Sequence, residues 1–377
     1  MTAALWFWIG AAVVLYAYLG YPLLICALAR LRAPVRAPLL DEGELPGVTV
    51  VIAAHNEAAR LPAKLRNVFD LDYPRDRLRV LVVSDGSTDG TEQVASTHPG
   101  VQAIGYAPRR GKAYALNRAM AEVDGDVVVF CDVRQDLAPD AVRRIVSTLC
   151  QPGVGVVSGE LIHHSGKTAA GQSIGLYWRY EKWLRACESR LYSTVGATGA
   201  LYAIRREDWE PLREGTILDD FEVPMRIVRK GRRSLFDAGA LVWDTLHEDP
   251  RLERRRKIRT LSGNFQSFLA NAWLFLPWEN PVWFQFLSHK VSRLLVPYAL
   301  AICLICSALA GGLLIRMALL AQLLFYALAL AGAVWSPARR IRAVSFAYVF
   351  SEMNLAAVLA LGRFVRGRAD GRWEKTS

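Results

Sequence analysis

The sequence predicts an α/β domain, a mostly parallel sheet with helices on both faces, inserted between transmembrane helices. Three observations predict it. The central region alternates short β-rich runs with helical patterns, which argues for parallel strands joined by crossover helices. Both ends of the chain carry uncharged apolar runs long enough to cross a bilayer. The 377 residues are 53% hydrophobic with mean hydropathy +0.18, too apolar for a purely soluble protein.

In chain order, Ala3–Ala29 contains no charge and exceeds the roughly 20 residues a spanning helix needs. No basic segment precedes it, so it is expected to be an uncleaved span. Arg30, Arg32 and Arg36 follow, and positive charge beside a span stays in the cytoplasm. The N-terminus is therefore expected outside and the polar region 46–260 inside, as in a bacterial plasma-membrane protein.

Four β-rich runs follow: 48–57 (VTVVIAAHNE), 79–87 (RVLVVSDGS), 101–107 (VQAIGYA) and 126–133 (DVVVFCDV). Between them lie helical patterns such as EAARLPAKLRNVFD and GKAYALNRAMAEV. Residues 271–290 are apolar and tryptophan-rich but broken by Glu279, Asn280 and two prolines, a composition suited to the membrane interface. Three further spans are expected at Leu294–Ile315, Met317–Ala338 and Ala343–Gly362, the last carrying Glu352 and Asn354. The expected organisation is a first span at 1–30, the α/β domain at 46–260, an interfacial segment at 261–290, spans at 291–365 and a basic tail at 366–377. Four crossings would leave Arg363, Arg366, Arg368 and Arg372 outside, against the positive-inside tendency, so one late segment is expected to be re-entrant or interfacial.

The formal net charge of +11 suits anionic lipid, phosphorylated substrates or nucleic acid, and the position of the charges must decide. The six cysteines, at 26, 131, 150, 187, 303 and 306, indicate neither a disulfide framework nor a zinc site. His163, His164 and His247 lack ligand-like spacing and read as surface or structural residues.

Three strand ends carry polar groups: Asn56-Glu57, Asp85 and Asp132. A carboxylate there costs desolvation unless it is paired or meets solvent or ligand, and open α/β sheets bind ligands at their carboxyl edge. No GxGxxG follows the first strand and no GxxxxGK[ST] occurs, which argues against dinucleotide redox chemistry and P-loop hydrolysis. Carboxylates can instead hold a ribose or base, and can bind Mg²⁺ or Mn²⁺ that neutralises a diphosphate. A nucleotide-diphosphate sugar has all of those parts.

The ordered motifs VVIAAHNEAARL, VVSDGSTDGT, PRRGKAYALNRAM, VVVFCDVR, TGALYAIRRE, LDDFEVPMRIVRKGRR and RRRKIRTLSGN resemble those of processive-type, membrane-bound family 2 glycosyltransferases. These include the cellulose-synthase-like, hyaluronan-synthase-like and poly-N-acetylglucosamine-synthase-like enzymes, and the resemblance covers roughly residues 46–290. It implies a GT-A fold and inverting transfer from a UDP-sugar, with no nucleic-acid partner. Carried over, it places Asp85 at the uridine end with Ala54, Asn56 and Glu57 beside it, and Lys112 near the phosphates. Asp132 matches the first carboxylate of the family's DxD metal motif, for Mg²⁺ or Mn²⁺. Asp220 matches the general base, Gly199 falls on the substrate side, and Arg256 and Arg259 stand where the family has QxxRW, to hold the leaving diphosphate.

Two departures matter. Arg134 stands where DxD has its second acid, so either Asp132, the diphosphate and water hold the metal, or Arg134 takes part of the charge neutralisation. Arg256 and Thr260 replace the Gln and Trp of QxxRW, which weakens the case for processive polymerisation. Aromatics and arginines over residues 177–207 form either an acceptor platform or a packing helix. The expected function is sugar transfer from a UDP-sugar to a growing polysaccharide or glycolipid. One alternative is single-sugar transfer to a polyprenyl phosphate or other lipid; another is a non-catalytic scaffold or transport subunit.

Overall fold

The computed structural model describes residues 2–34, 38–164, 169–245 and 250–367. His247, Arg368 and Arg372 lie outside the described residues, as do the side chains of His163 and His164.

Eight strands form one mixed sheet: β1 (Val48–Ala54), β2 (Leu78–Asp85), β3 (Val101–Tyr106), β4 (Val127–Cys131), β5 (Asp136–Leu137), β6 (Val154–His164), β7 (Leu201–Arg205) and β8 (Arg233–Thr245). Their spatial order is β3-β2-β1-β4-β7-β6-β8-β5. The first four strands are mutually parallel, with Val50 opposite Val80 and Val129. β7 enters antiparallel between β4 and β6, and β8 returns parallel to β6. It is thus a mixed sheet, parallel in the half read from the sequence.

Strands buried on both faces need no polar alternation, which is why β1, β2 and β4 read as continuous Val/Ile/Leu runs. Val48, Val50 and Ile52 face helices Leu61–Phe69 and Ala141–Leu149. Val51, Leu81 and Phe130 face helices Lys112–Met120 and Asp219–Arg229. Pro62 sits in the first turn of Leu61–Phe69, where its missing N–H costs nothing.

Four helices are long and apolar enough to cross a membrane: Thr2–Arg30, Trp283–Leu309, Leu313–Val334 and Arg342–Val365. Two boundaries differ from the expected ones. The break after the second apolar helix falls at residues 310–312, because Gly311-Gly312 cannot hold a helix and Gly312 adopts φ 113°; Arg316 belongs to the next helix. The segment 271–290 contains the start of a helix: the Asn280 side-chain oxygen accepts from the Val282 N–H at 3.0 Å, and the chain turns helical at Trp283. Gly10 lets Thr2–Arg30 lie against the following helix, since a Cβ there would stand 2.8 Å from Cys303 Sγ. A third core, built from Phe221, Phe268, Phe286, Leu294 and Ala357, joins the sheet domain to the apolar helices.

A disulfide joins Cys26 to Cys187, contrary to the reading of unlinked cysteines. The two lie 161 residues apart and meet only because Thr2–Arg30 packs against helix Ala169–Leu191. No spacing rule could reveal that.

Candidate active site

The carboxyl ends of β2, β1 and β4 lie side by side, bringing Asp85, Ala54 and Asp132 to one edge of the sheet. The chain after β1 turns through Asn56 at φ 56°, and its side-chain oxygen accepts from the Thr88 N–H at 2.8 Å. The Glu57 and Ala58 N–H groups donate to Thr91 and Asp89, so the two loops brace each other. Asp89 also accepts from the Thr91 N–H at 3.1 Å, bracing the turn just before the Gly90 N-cap of helix Thr91–Ser96.

Asp85 is fully buried and faces its own protein. Its carboxylate accepts from the Arg110 N–H at 2.7 Å, the Gly111 N–H at 2.9 Å and the Tyr106 hydroxyl at 3.0 Å, while Arg109 Nε lies 3.8 Å away. Expected at the uridine end, it holds the turn from which helix Lys112–Met120 starts. Gly86 makes the crossing possible: a Cβ there would stand 2.5 Å from Arg109 N, and its φ is 58°.

Lys112 links this turn to the acids. Its Nζ lies 3.1 Å from Asp132 Oδ1 and 3.2 Å from Asp219 Oδ2. Burial works against its charge, but Asp132, Asp219 and Asp220 outweigh that and hold it well above the usual lysine range. Asp219, buried and also accepting from the Tyr202 hydroxyl at 3.4 Å, was not singled out from the sequence. LDDFE contains it, but only the fold separates the lysine-bound acid from its neighbour.

Asp219 and Asp220 open helix Asp219–Arg229 without capping it; the N-cap is Leu218. The loop at 194–200 wraps Asp220, whose backbone carbonyl accepts from the Ala197 N–H at 2.7 Å. Gly199 faces the carboxylate itself: a Cβ there would stand 2.9 Å from Asp220 Oδ2. Burial and the negative charge of Asp219 push the Asp220 carboxyl up to about 6, against the pull of Lys112, Lys290 and Arg185.

Asp220 and Gly199 border a cavity of about 480 Å³. Asp132, Gly199, Asp220 and Arg256 all line it, whereas Ala54, Asn56, Glu57 and Asp85 do not. Arg259 does not line it either. A helix advances roughly 100° per residue, so Lys257, Thr260 and Asn264 share the cavity face of Pro250–Ala270, while Arg259 turns toward the flank where Gly263 packs on Ile217 and Leu218. The opposite wall comes from the apolar helices, through Tyr18, Leu294, Asn354 and Ala357. Trp178 and Arg185 represent the 177–207 stretch. Glu352 is not among the lining residues, although Asn354 is.

Arg134 is committed elsewhere, its Nη2 lying 2.5 Å from the buried Asp244 Oδ2, which Gln135 also approaches at 3.2 Å. Its charge is thus balanced within the protein, which favours the first of the two expectations for the DVR motif. Asp132, 41% exposed, is left as the accessible acid at the end of β4. No group of three His, Cys, Asp or Glu that could hold a metal occurs among the described residues. One open carboxylate fits a divalent ion whose remaining ligands are diphosphate oxygens and water, since Mg²⁺ commonly takes only one or two carboxylates.

With this geometry in place, the comparisons acquire residues. Residues 49–210 match the model for glycosyl transferase family 2. A probable glycosyltransferase YdaM of Bacillus subtilis (strain 168) is 28% identical over 59% of this chain and 56% of its own length. A beta-monoglucosyldiacylglycerol synthase of Synechocystis sp. is 27% identical over 59% of this chain and 49% of its own. The chain thus spans about half the length of these relatives. Among solved structures, the mannosyltransferase PcManGT from Pyrobaculum calidifontis, in complex with GDP-Man and Mn²⁺, is 26% identical with TM-score 0.68, covering 96% of this chain and 99% of that one. Residues 49–210 thus resemble a family 2 glycosyltransferase domain, and the GT-A-like sheet with attached apolar helices is shared with the mannosyltransferase.

Proposed function

We propose that the protein moves a sugar from a nucleotide-diphosphate sugar to an acceptor held at the membrane surface, from the cytoplasmic side, with inversion at the anomeric carbon. The observation that carries this reading is the composition of one cavity: Asp132, Asp220 and Arg256 on one wall, side chains of apolar helices on the other. The motifs imply a UDP-sugar, and the GDP-Man bound by the similar mannosyltransferase makes a guanine nucleotide the competing donor.

In the transfer, an acceptor hydroxyl gives its proton to the Asp220 carboxylate as its oxygen bonds to the anomeric carbon. The bond from that carbon to the diphosphate oxygen breaks, and the electron pair leaves with the nucleotide diphosphate. A positioned base of this kind contributes roughly 10²–10⁴-fold. Lys112 and Arg256 are fixed cations on the side where negative charge grows, and such preorganised charge acts without reorganisation during the reaction. A divalent ion at Asp132 would neutralise the diphosphate and improve it as a leaving group. Asp85, with Ala54, Asn56 and Glu57, shapes the nucleotide end by holding the turn before Lys112; Arg259 supports its helix from outside the cavity.

A lipid-linked acceptor is favoured over a long polymer by Thr260, which lines the cavity where the polymer synthases carry a tryptophan. The test is a screen of UDP- and GDP-sugars with the purified full chain in lipid, followed by mass spectrometry of the products. Transfer from one of them, abolished by excess chelator and restored by Mg²⁺ or Mn²⁺, is the expected outcome. Transfer undiminished in chelator would remove the ion, and no turnover with any donor would leave only a binding scaffold.

A further inference from the structure

The cavity has a cationic corner where it meets the apolar helices, and the sugar-transfer reading does not use it. Lys290 belongs to Trp283–Leu309, within a π-helical stretch at Phe286–Val291. That stretch faces a second one, Tyr16–Gly20, through a Tyr16 hydroxyl to Ser288 Oγ contact of 2.7 Å. Such insertions re-aim side chains and recur at functional sites. Here they border the cavity, which Tyr18, His289 and Lys290 all line.

Glu181 and Glu188 beside it are committed to other groups, whereas Asp220 is left open to the cavity. Glu181 Oε2 lies 2.5 Å from Arg293 Nη1 and its Oε1 3.0 Å from His289 Nε2. Glu188 Oε1 lies 2.8 Å from His289 Nδ1 and accepts from the Tyr21 hydroxyl at 2.6 Å. No hydrogen bond or ion pair joins the Lys290 ammonium to a partner among the described residues. Arg185 also lines the cavity, its Nη1 donating to Thr198 Oγ1 at 2.8 Å and its Nε lying 3.5 Å from Glu181 Oε1. An ionisable group in an apolar helix normally finds a partner or faces a functional cavity.

We infer that Lys290, with Arg185, is the binding site for the phosphate of a lipid acceptor, whose hydrocarbon chain runs past Leu294, Met353 and Ala357. The inference rests on the transferase reading and names its acceptor class. Anionic sugars could also meet a lysine, but they do not explain apolar helices forming the rest of the wall. A phosphate on a hydrocarbon chain satisfies both halves, and a sugar carried on that phosphate would bring its acceptor hydroxyl to Asp220 in the same cavity.

The test uses the full chain in detergent with undecaprenyl phosphate, undecaprenol, inorganic phosphate and a soluble oligouronate as probes, and nucleotide diphosphate binding measured in the same preparation. Undecaprenyl phosphate should bind most tightly, and Lys290→Gln should weaken it by about tenfold or more, the loss expected for a charge-assisted hydrogen bond. Lys290→Arg should retain binding, and nucleotide affinity unchanged in Lys290→Gln would show an intact fold. The inference is overturned if Lys290→Gln binds undecaprenyl phosphate like the unchanged chain, or if undecaprenol or the oligouronate binds as well as the lipid phosphate. Inorganic phosphate competing at equal strength would likewise sink the lipid assignment. Nucleotide binding without lipid-phosphate binding defeats this inference alone; no nucleotide binding in the unchanged chain defeats the transferase reading and this one with it.

Discussion

At the scale of single residues, two adjacent aspartates are given different tasks by their surroundings. Asp219 is ion-paired to Lys112, whereas Asp220 faces the cavity with its carboxyl raised to about 6. A base must be deprotonated to act, so transfer should fall as pH drops through about 6 and level off above it. Asp220→Asn keeps the shape and removes the base. It should bind nucleotide diphosphate near normally and lose about 10²–10⁴-fold in turnover, with the acid limb of the pH profile abolished. Calorimetry and a radiolabelled-sugar assay on the one variant read both quantities. Ordinary turnover would return LDDFE to a merely structural role.

At the scale of elements, legibility followed locality. The four parallel strands and the helices Leu61–Phe69 and Lys112–Met120 were readable because each announces itself by apolar periodicity and a polar end. Asp132, Gly199, Asp220 and Arg256 sit in ordered motifs and meet in one cavity. What stayed hidden depends on elements far apart in the chain: the Arg134–Asp244 pair, the Cys26–Cys187 bond and the place of Lys290 in the cavity lining. Arg259 does not line the cavity with Arg256: spacing in a motif does not say which helix flank faces it. Asp85 shows the same limit, since its partners are backbone N–H groups 25 and 26 residues away. That turn predicts a second outcome. In Gly86→Ala the new methyl group meets Arg109 N, and an alanine is held at φ 58°, so the turn carrying Lys112 must shift. Strain of this kind costs about 1–3 kcal/mol. Thermal unfolding should move to lower temperature and nucleotide affinity should fall; an unaltered melting temperature would show that the loop adapts freely.

At the scale of the whole molecule, the packing bears on the orientation of the chain in the bilayer. Trp283–Leu309 leaves the sheet domain, since Phe286 and Leu294 pack with Phe221 of that domain, and its far end approaches Phe7 through Cys303. Leu313–Val334 returns; 22 residues at about 1.5 Å each span roughly 33 Å, enough to come back to the domain side. Arg342–Val365 then has both ends near that side. Its start packs on the end of the preceding helix, where a Cβ on Gly332 would stand 3.0 Å from Tyr348 and 3.1 Å from Val344. Its end meets the sheet domain, with Ser262 Oγ donating to the Ala360 carbonyl at 3.3 Å and the Phe265 and Phe364 rings stacked at 6.0 Å. With both ends near that side, this helix is expected to lie along the interface rather than to cross, long and apolar though it is. With that helix along the interface, three crossings would carry the chain from the expected outside N-terminus to an inside C-terminus, and Arg339, Arg340, Arg342, Arg363 and Arg366 would fall on the side of the sheet domain, in keeping with the positive-inside tendency. The apparent conflict in the basic C-terminal residues thus disappears with one crossing. A single cysteine at Gly367, in a chain with its exposed native thiols removed, should resist a membrane-impermeant maleimide in intact cells and react once the membrane is opened. Labelling in intact cells would restore the fourth crossing and put the arginines outside.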